Sequence, residues 1–237
     1  MTLLLTPWQI PPSKPELTEE SVHLWRFPLD SDDLLEGLLD AQELQRARRL
    51  RVPGKAQAFI TARARLRQIL GRYLDLAPEA LLFNYGSAGK PELAGQLPNP
   101  PAFNLTHAGR WGMCAVTIGV DVGVDIERID PQLDFEKLAA HFFSANERCW
   151  LQRASRHRRR RLFFRLWTRK EAWLKGEGSG FSTPDQDVDP VHLDGCCTFD
   201  GHWWLRSFPV ARYYLATVAV PRKFSLLQRW DGWRSPV

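Results

Sequence analysis

Two carboxylates set two residues apart carry the first chemical signal in the chain. In Val122-Gly123-Val124-Asp125-Ile126-Glu127, strand alternation turns Val122, Val124 and Ile126 one way and Gly123, Asp125 and Glu127 the other. Like charges that close raise each other's pKa unless a cation sits between them. A hard divalent ion such as magnesium, which takes carboxylate and water oxygens, meets that need. So does the plainer alternative, a strand ending in a polar turn with Arg128 neutralising Glu127. A third acid, Glu171, lies between Trp167 and Lys175 at four-residue spacing, which puts all three on one helix face. Trp167 and Trp173 argue that Glu171 is partly buried. The competing reading is a surface Glu171–Lys175 pair worth roughly a few tenths of a kcal/mol.

Weaker signals surround these. Gly89-Lys90-Pro91 is a turn that brings backbone close to a ligand and presents one ammonium beside it. Asn104, Thr106 and His107 sit where a strand gives way to a loop, a place suited to polar groups that hold a ligand. His107 either donates to a phosphate oxygen or caps its own turn. Two arginine runs, Arg46–Arg51 and Arg153–Arg161, are either solvated faces or grips on phosphates and acidic proteins.

The elements that position these groups follow from periodicity. Strands are expected at Ser21–Phe27, Trp111–Ile118, along Val122–Glu127, and in a hairpin of Trp203–Phe208 with Tyr213–Val220. Helices are expected from Leu34 to Leu39, over Gln57–Leu74, over Phe135–Phe142, from Ser144 with a Ser144/Glu147 capping box, and over Leu162–Lys175. Residues 1–20 read as a proline-rich lead-in, Thr183–Pro190 as turn and loop, and the end through Trp230 and Trp233 as a weakly tethered tail. The layout repeats loosely, giving an N-terminal lobe over 1–115 and a C-terminal lobe over 116–237, with a ligand cleft between them.

Composition narrows the function classes. The chain has 237 residues, and 32 basic against 27 acidic residues leave a net charge of +5, which suits phosphorylated small molecules, acidic proteins or nucleic acid. Leu3–Leu5 is too short an apolar run for a signal peptide, and no run is long enough to cross a bilayer. Cys114, Cys149, Cys196 and Cys197 match no zinc spacing, so a reduced cytoplasmic setting is expected. No zinc, helix-turn-helix or RNA-binding pattern supports the alternative of a basic nucleic-acid-binding protein.

Taken together, four stretches resemble the 4'-phosphopantetheinyl transferases of the larger, two-lobed type. They are Gly89-Lys90-Pro91, Phe103-Asn104-Leu105-Thr106-His107-Ala108, Val122-Gly123-Val124-Asp125-Ile126-Glu127 and Trp167-Thr168-Arg169-Lys170-Glu171-Ala172-Trp173-Leu174-Lys175. The resemblance implies an α+β fold of two similar, pseudo-twofold-related lobes with antiparallel sheets. It implies transfer of the phosphopantetheine arm of coenzyme A to a serine of an apo acyl or peptidyl carrier protein, with release of 3',5'-ADP. It implies Mg2+ on Asp125, Glu127 and Glu171, and Lys175 on the pyrophosphate. Lys90 and Pro91 would line the adenine side, Thr106 and His107 would contact phosphate, and Arg46 or Arg49 would hold the 3'-phosphate. Glu171 is then the first candidate for the base and Glu127 the second. A monomer acting on carrier protein and coenzyme A is expected, with no nucleic acid or membrane partner. The rival within this resemblance is a non-catalytic adaptor for coenzyme A or carrier protein. Where the family carries two serines this chain has Thr106, which keeps the hydroxyl, and Ala108, which loses it.

Overall fold

The computed structural model describes residues 4–30, 34–86, 89–178, 196–199 and 202–233. In it the alternating stretches become two sheets laid face to face. β1 (Leu4–Gln9) and β2 (Ser21–Pro28) lead into α1 (Ala41–Arg48) and the long α2 (Lys55–Leu74). A small hairpin of β3 (Phe83–Tyr85) and β4 (Pro91–Leu93) precedes β5 (Ala102–Ala108) and β6 (Trp111–Thr117). Then come β7 (Gly123–Arg128), α3 (Phe135–Phe142), α4 (Ala145–Arg153) and α5 (Arg156–Glu177). The chain closes with β8 (Cys196–Phe199), β9 (Trp203–Ala211), β10 (Tyr214–Val220) and β11 (Leu226–Asp231).

The first sheet runs β1-β11-β2-β6-β5 and the second β7-β10-β9-β8. All neighbours in them are antiparallel except β11, which is parallel to both β1 and β2. Alternation explains the layers. Val22, Leu24, Met113 and Ala115 on one face of the first sheet meet Val124, Ile126, Ala216 and Val218 of the second. The opposite faces carry the helices. Leu66, Ile69 and Leu70 of α2 cover Trp25, Phe27 and Val116. Phe163, Leu166, Ala172 and Leu174 of α5 cover Leu205, Leu215 and Ala219. Each fully buried valine, leucine, isoleucine, methionine or phenylalanine among them contributes about 1.5–3 kcal/mol by leaving water. At one side the sheets also meet edge to edge, where the Val124 amide of β7 donates to Asn104 Oδ1 of β5 at 3.2 Å.

The expected capping box is present, with Glu147 N donating to Ser144 Oγ and Ser144 N to Glu147. Other expectations need correction. The helix expected from Leu34 is only a single 3-10 turn, Glu36–Leu38, because the true helix start is the Asp40/Glu43 capping box that opens α1. The lead-in contains a strand, β1. The supposed tail is β11, an interior strand of the first sheet, with Leu227 and Trp230 buried and Trp230 in register with Trp25. The C-terminal end of the chain therefore crosses back into the sheet assigned to the N-terminal lobe, and residue 115 falls inside β6 rather than between lobes. Gly180 and Thr183–Pro190 lie outside the described residues. Among the described residues no helix is long and apolar enough to cross a membrane.

Candidate active site

The site is built where β7 touches α5, and glycine sets how closely they approach. A Cβ on Gly123 would lie 1.8 Å from the Ala172 carbonyl oxygen and 2.5 Å from Gly176 N. Without one, strand and helix backbones come into contact, and the carboxylates that follow on β7 stand beside the last turns of α5. Thr217 of β10 is the cross-strand partner of Asp125 and is held by Thr168 and Ser207, each at 2.9 Å, which fixes the sheet under the site.

Asp125 is 3% exposed. Its Oδ1 accepts from Lys175 Nζ at 2.6 Å and from Thr106 Oγ1 at 3.2 Å, and Lys175 also donates to Thr106 Oγ1 at 3.2 Å. The buried Oδ2 has no hydrogen-bond partner. Burial raises the Asp125 pKa, while Lys175 and the hydrogen bonds oppose that rise. Glu127 is pushed up to about 7, first by burial and then by the charges of Asp125 and Glu171, with the Trp167 indole as a donor working against the shift. Burial pushes Glu171 up to about 6, with Lys175 opposing and Asp125 adding repulsion. Three mutually repelling carboxylates, one with a buried unused oxygen, form an electrostatic trap for a cation. Among the described residues no set of three such groups is arranged to hold a metal ion as it stands. Magnesium does not require one, since it usually takes one or two carboxylates together with waters and substrate phosphates.

A cleft of about 380 Å³ opens from this point. Lys90, Pro91, Asn104, Glu171 and Lys175 line it, with Phe103, Leu105 and Leu174 supplying apolar wall. Residues from the first sheet, from the β3–β4 hairpin and from α5 thus meet in one hollow, beside Asp125 of β7. Arg46 and Arg49 do not line it. They edge a separate recess of about 460 Å³ with Gln42, Glu43 and Tyr85. The two hollows share the β3–β4 hairpin, in which Tyr85 pairs with Pro91. His107 is exposed, and desolvation followed by the positive charges of Lys55 and Lys175 lowers its pKa. Sequence reasoning missed Lys55. The available signal was its position as the first residue of α2 directly after Pro53-Gly54, where helix N-termini favour anions.

Comparison with known proteins decides the family. The family model of the 4'-phosphopantetheinyl transferase superfamily matches residues 121–217. A putative 4'-phosphopantetheinyl transferase of Synechocystis sp. is 34% identical over 195 residues, covering 79% of each chain. The chain belongs to the 4'-phosphopantetheinyl transferase superfamily. It is also 38% identical to the 4'-phosphopantetheinyl transferase HetI of Nostoc sp. over 178 residues, covering 72% of this chain and 75% of HetI. It is 28% identical to the 4'-phosphopantetheinyl transferase Sfp of Bacillus subtilis over 167 residues, covering 70% of this chain and 72% of Sfp. The superfamily match runs from just before β7 through α5 into β10, so it contains Asp125, Glu127, Glu171 and Lys175. Arg46, Arg49, Lys90, Pro91, Thr106 and His107 lie N-terminal to it.

Proposed function

We propose that this superfamily member transfers the 4'-phosphopantetheine arm of coenzyme A to a serine hydroxyl of an apo acyl or peptidyl carrier protein and releases 3',5'-ADP. The observation that carries this reading is the contact of Lys175 with Asp125, with Glu127 and Glu171 near enough to repel, beside one cleft that Glu171 and Lys175 line together with Lys90 and Pro91.

Asp125, Glu127 and Glu171 fit a Mg2+ site, on the strength of the unpartnered Asp125 Oδ2 and the repulsion that lifts both glutamates. Mg2+ bound there would neutralise charge developing on the pyrophosphate oxygens. The chain's own residues do the rest. Lys175 lines the cleft, and its ammonium would pass from Asp125 to the pyrophosphate when substrate enters. Lys90 and Pro91 border the adenine side, and Thr106 and His107 offer donors to phosphate. Arg46 and Arg49, across the β3–β4 hairpin, suit the 3'-phosphate. Glu171 takes the proton of the carrier serine as its oxygen bonds to the phosphorus that bears pantetheine, and the bond to the nucleotide phosphate breaks. Glu171 lines the cleft, which puts it where a general base is needed. Glu127 is the second candidate.

A monomer and a cytoplasmic setting go with that reading. The test is to incubate the protein with an apo carrier protein, coenzyme A and Mg2+ and to weigh the carrier. A gain of one phosphopantetheine arm is expected, and no gain across fatty-acid, polyketide and peptide carriers would overturn the reading.

A further inference from the structure

On the face of the second sheet that α5 covers, one row is polar. Ser207 of β9, Thr217 of β10 and Asp125 of β7 are cross-strand neighbours, so their side chains stand side by side on that face. Apolar packing flanks the row. Leu205 and Ala219 cluster with Ala172 and Leu174 on one side of it, and Leu215 with Phe163 and Phe164 on the other. Thr168 of α5 reaches into the row, and Thr168 and Thr217 are wholly buried. Each hydroxyl has one proton to give, and that fixes the direction of every bond. Arg169 Nε donates to Ser207 Oγ at 3.0 Å, and Thr168 Oγ1 donates to the Arg165 carbonyl at 3.2 Å. Thr168 must then accept from Thr217, and Thr217 from Ser207, each at 2.9 Å. This hydrogen-bonded string starts on α5 at Arg169, crosses β9 and β10, and returns to α5 at Thr168.

Building on the proposed transferase function, we infer that Thr168, Thr217 and Ser207 are positioning residues for it: their hydroxyl string fixes the roll of α5, and so the place where Glu171 and Lys175 meet Asp125. Thr168 precedes Glu171 by 3 residues and Lys175 by 7, one and two turns along the same helix face. Its partner Thr217 stands directly beside Asp125. The other contacts restrain something else. Gly123 limits how near α5 comes to β7, and apolar packing is non-directional, so neither sets the roll. Lys170 ties α5 to Glu147 at 3.0 Å, but Glu147 belongs to α4 and not to the sheet that carries Asp125. The Lys175–Asp125 bond is given up to the pyrophosphate in the proposed reaction. The hydroxyl string is directional, and none of its residues lines the cleft, so it holds while substrate comes and goes. Side-chain tips lie about 5–6 Å from a helix axis, so a roll of about 10° would carry the Glu171 carboxylate about 1 Å. A displacement of that size is enough to slow the chemistry.

The test is steady-state kinetics on the full chain with an apo carrier protein, coenzyme A and Mg2+, beside urea unfolding. The variants are T168V and T217V, which keep the branched shape and lose the hydroxyl, the double variant T168V/T217V, and T217S, which keeps the hydroxyl. Each valine variant should lower kcat about 10-fold or more, while the KM values for carrier and coenzyme A stay near wild type. The double variant should lose no more than either single one, in kcat and in stability, because both interrupt the same string. T217S should restore kcat. L70A, in α2 and remote from α5, lowers stability by core truncation and should leave kcat intact. Valine variants that lose stability as L70A does but keep wild-type kcat would reduce the hydroxyls to a structural role and overturn the positioning. Additive losses in the double variant, or no rescue by T217S, overturn it as well. A wild-type chain that modifies no carrier overturns the transferase reading and this role with it, while non-additive unfolding would still show that the hydroxyls act as one string, so the two failures are distinct.

Discussion

Replacing Gly123 by alanine puts a methyl group where the structure has backbone. The new carbon starts 1.8 Å from the Ala172 carbonyl oxygen and must reach the 3.4 Å of ordinary contact, while Gly176 N at 2.5 Å blocks the same direction. Neither obstacle is a side chain that can rotate away. Either β7 or α5 must shift by more than an ångström, and both carry site residues. Overpacking of this kind costs about 1–3 kcal/mol, and with backbone as the obstacle the upper figure applies. For a chain of this size that is a fall in Tm of roughly 6–12 °C. The chemical effect should exceed the thermal one. Moving Glu171 and Lys175 about an ångström from Asp125 should lower kcat roughly 100-fold. Gly119→Ala is the contrast. Its φ of 71° strains any side chain, yet nothing lies within 4 Å of the new carbon, so it should cost about 1 kcal/mol and leave kcat intact. Thermal unfolding with carrier-modification kinetics reads both. G123A with wild-type Tm and wild-type kcat would refute the claim that strand–helix contact sets the site geometry.

Three further outcomes follow from individual contacts. Lys175→Met removes the cation on Asp125 Oδ1 and should lower kcat by about 10²–10³ with a smaller effect on the KM for coenzyme A, as single-turnover kinetics can show. His23 is wholly buried, donates to or accepts from Tyr73, and burial lowers its pKa to about 4. The unfolded chain therefore binds the proton more readily, so stability declines as pH falls through 6.5 toward 4. The loss at pH 5 is about 2 kcal/mol, and His23→Gln should flatten that part of the urea-unfolding profile between pH 7.5 and 5. Glu43 bridges Arg63 and Arg67 with all three side chains buried; Glu43→Gln leaves Arg63 without a carboxylate while Arg67 keeps Asp40, so it should cost about 3 kcal/mol in the same unfolding assay.

The sequence exposed what local spacing controls. Strand alternation placed Asp125 and Glu127 on one face, four-residue spacing put Glu171 and Lys175 together, and the Ser144/Glu147 box marked the start of α4. What it hid depends on distant partners. Leu4–Gln9 has Pro7 in its middle and forms a strand only because it lies beside β11, with Leu4 in register with Leu226. Nothing near residue 230 announces an interior strand, since its neighbours are residues 4–9 and 21–26. Arg63 and Arg67 fall between the apolar positions of α2 in the sequence, yet both are buried because Glu43 pairs with each. Lys55 joins His107 and Lys175 through the approach of α2 to β5, which no motif encodes. The arginine run at Arg156–Arg161 hid the first turns of α5, which extends six residues earlier than its apolar pattern begins.

Isothermal titration of the protein with Mg2+ in the presence of coenzyme A tests the central claim most directly, using wild type beside Asp125→Asn and Glu171→Gln. The expected result is a divalent-ion site in the wild type that either substitution weakens at least about 10-fold while the variants stay folded. Ion binding of unchanged strength in both variants would contradict convergence of these carboxylates on one cation.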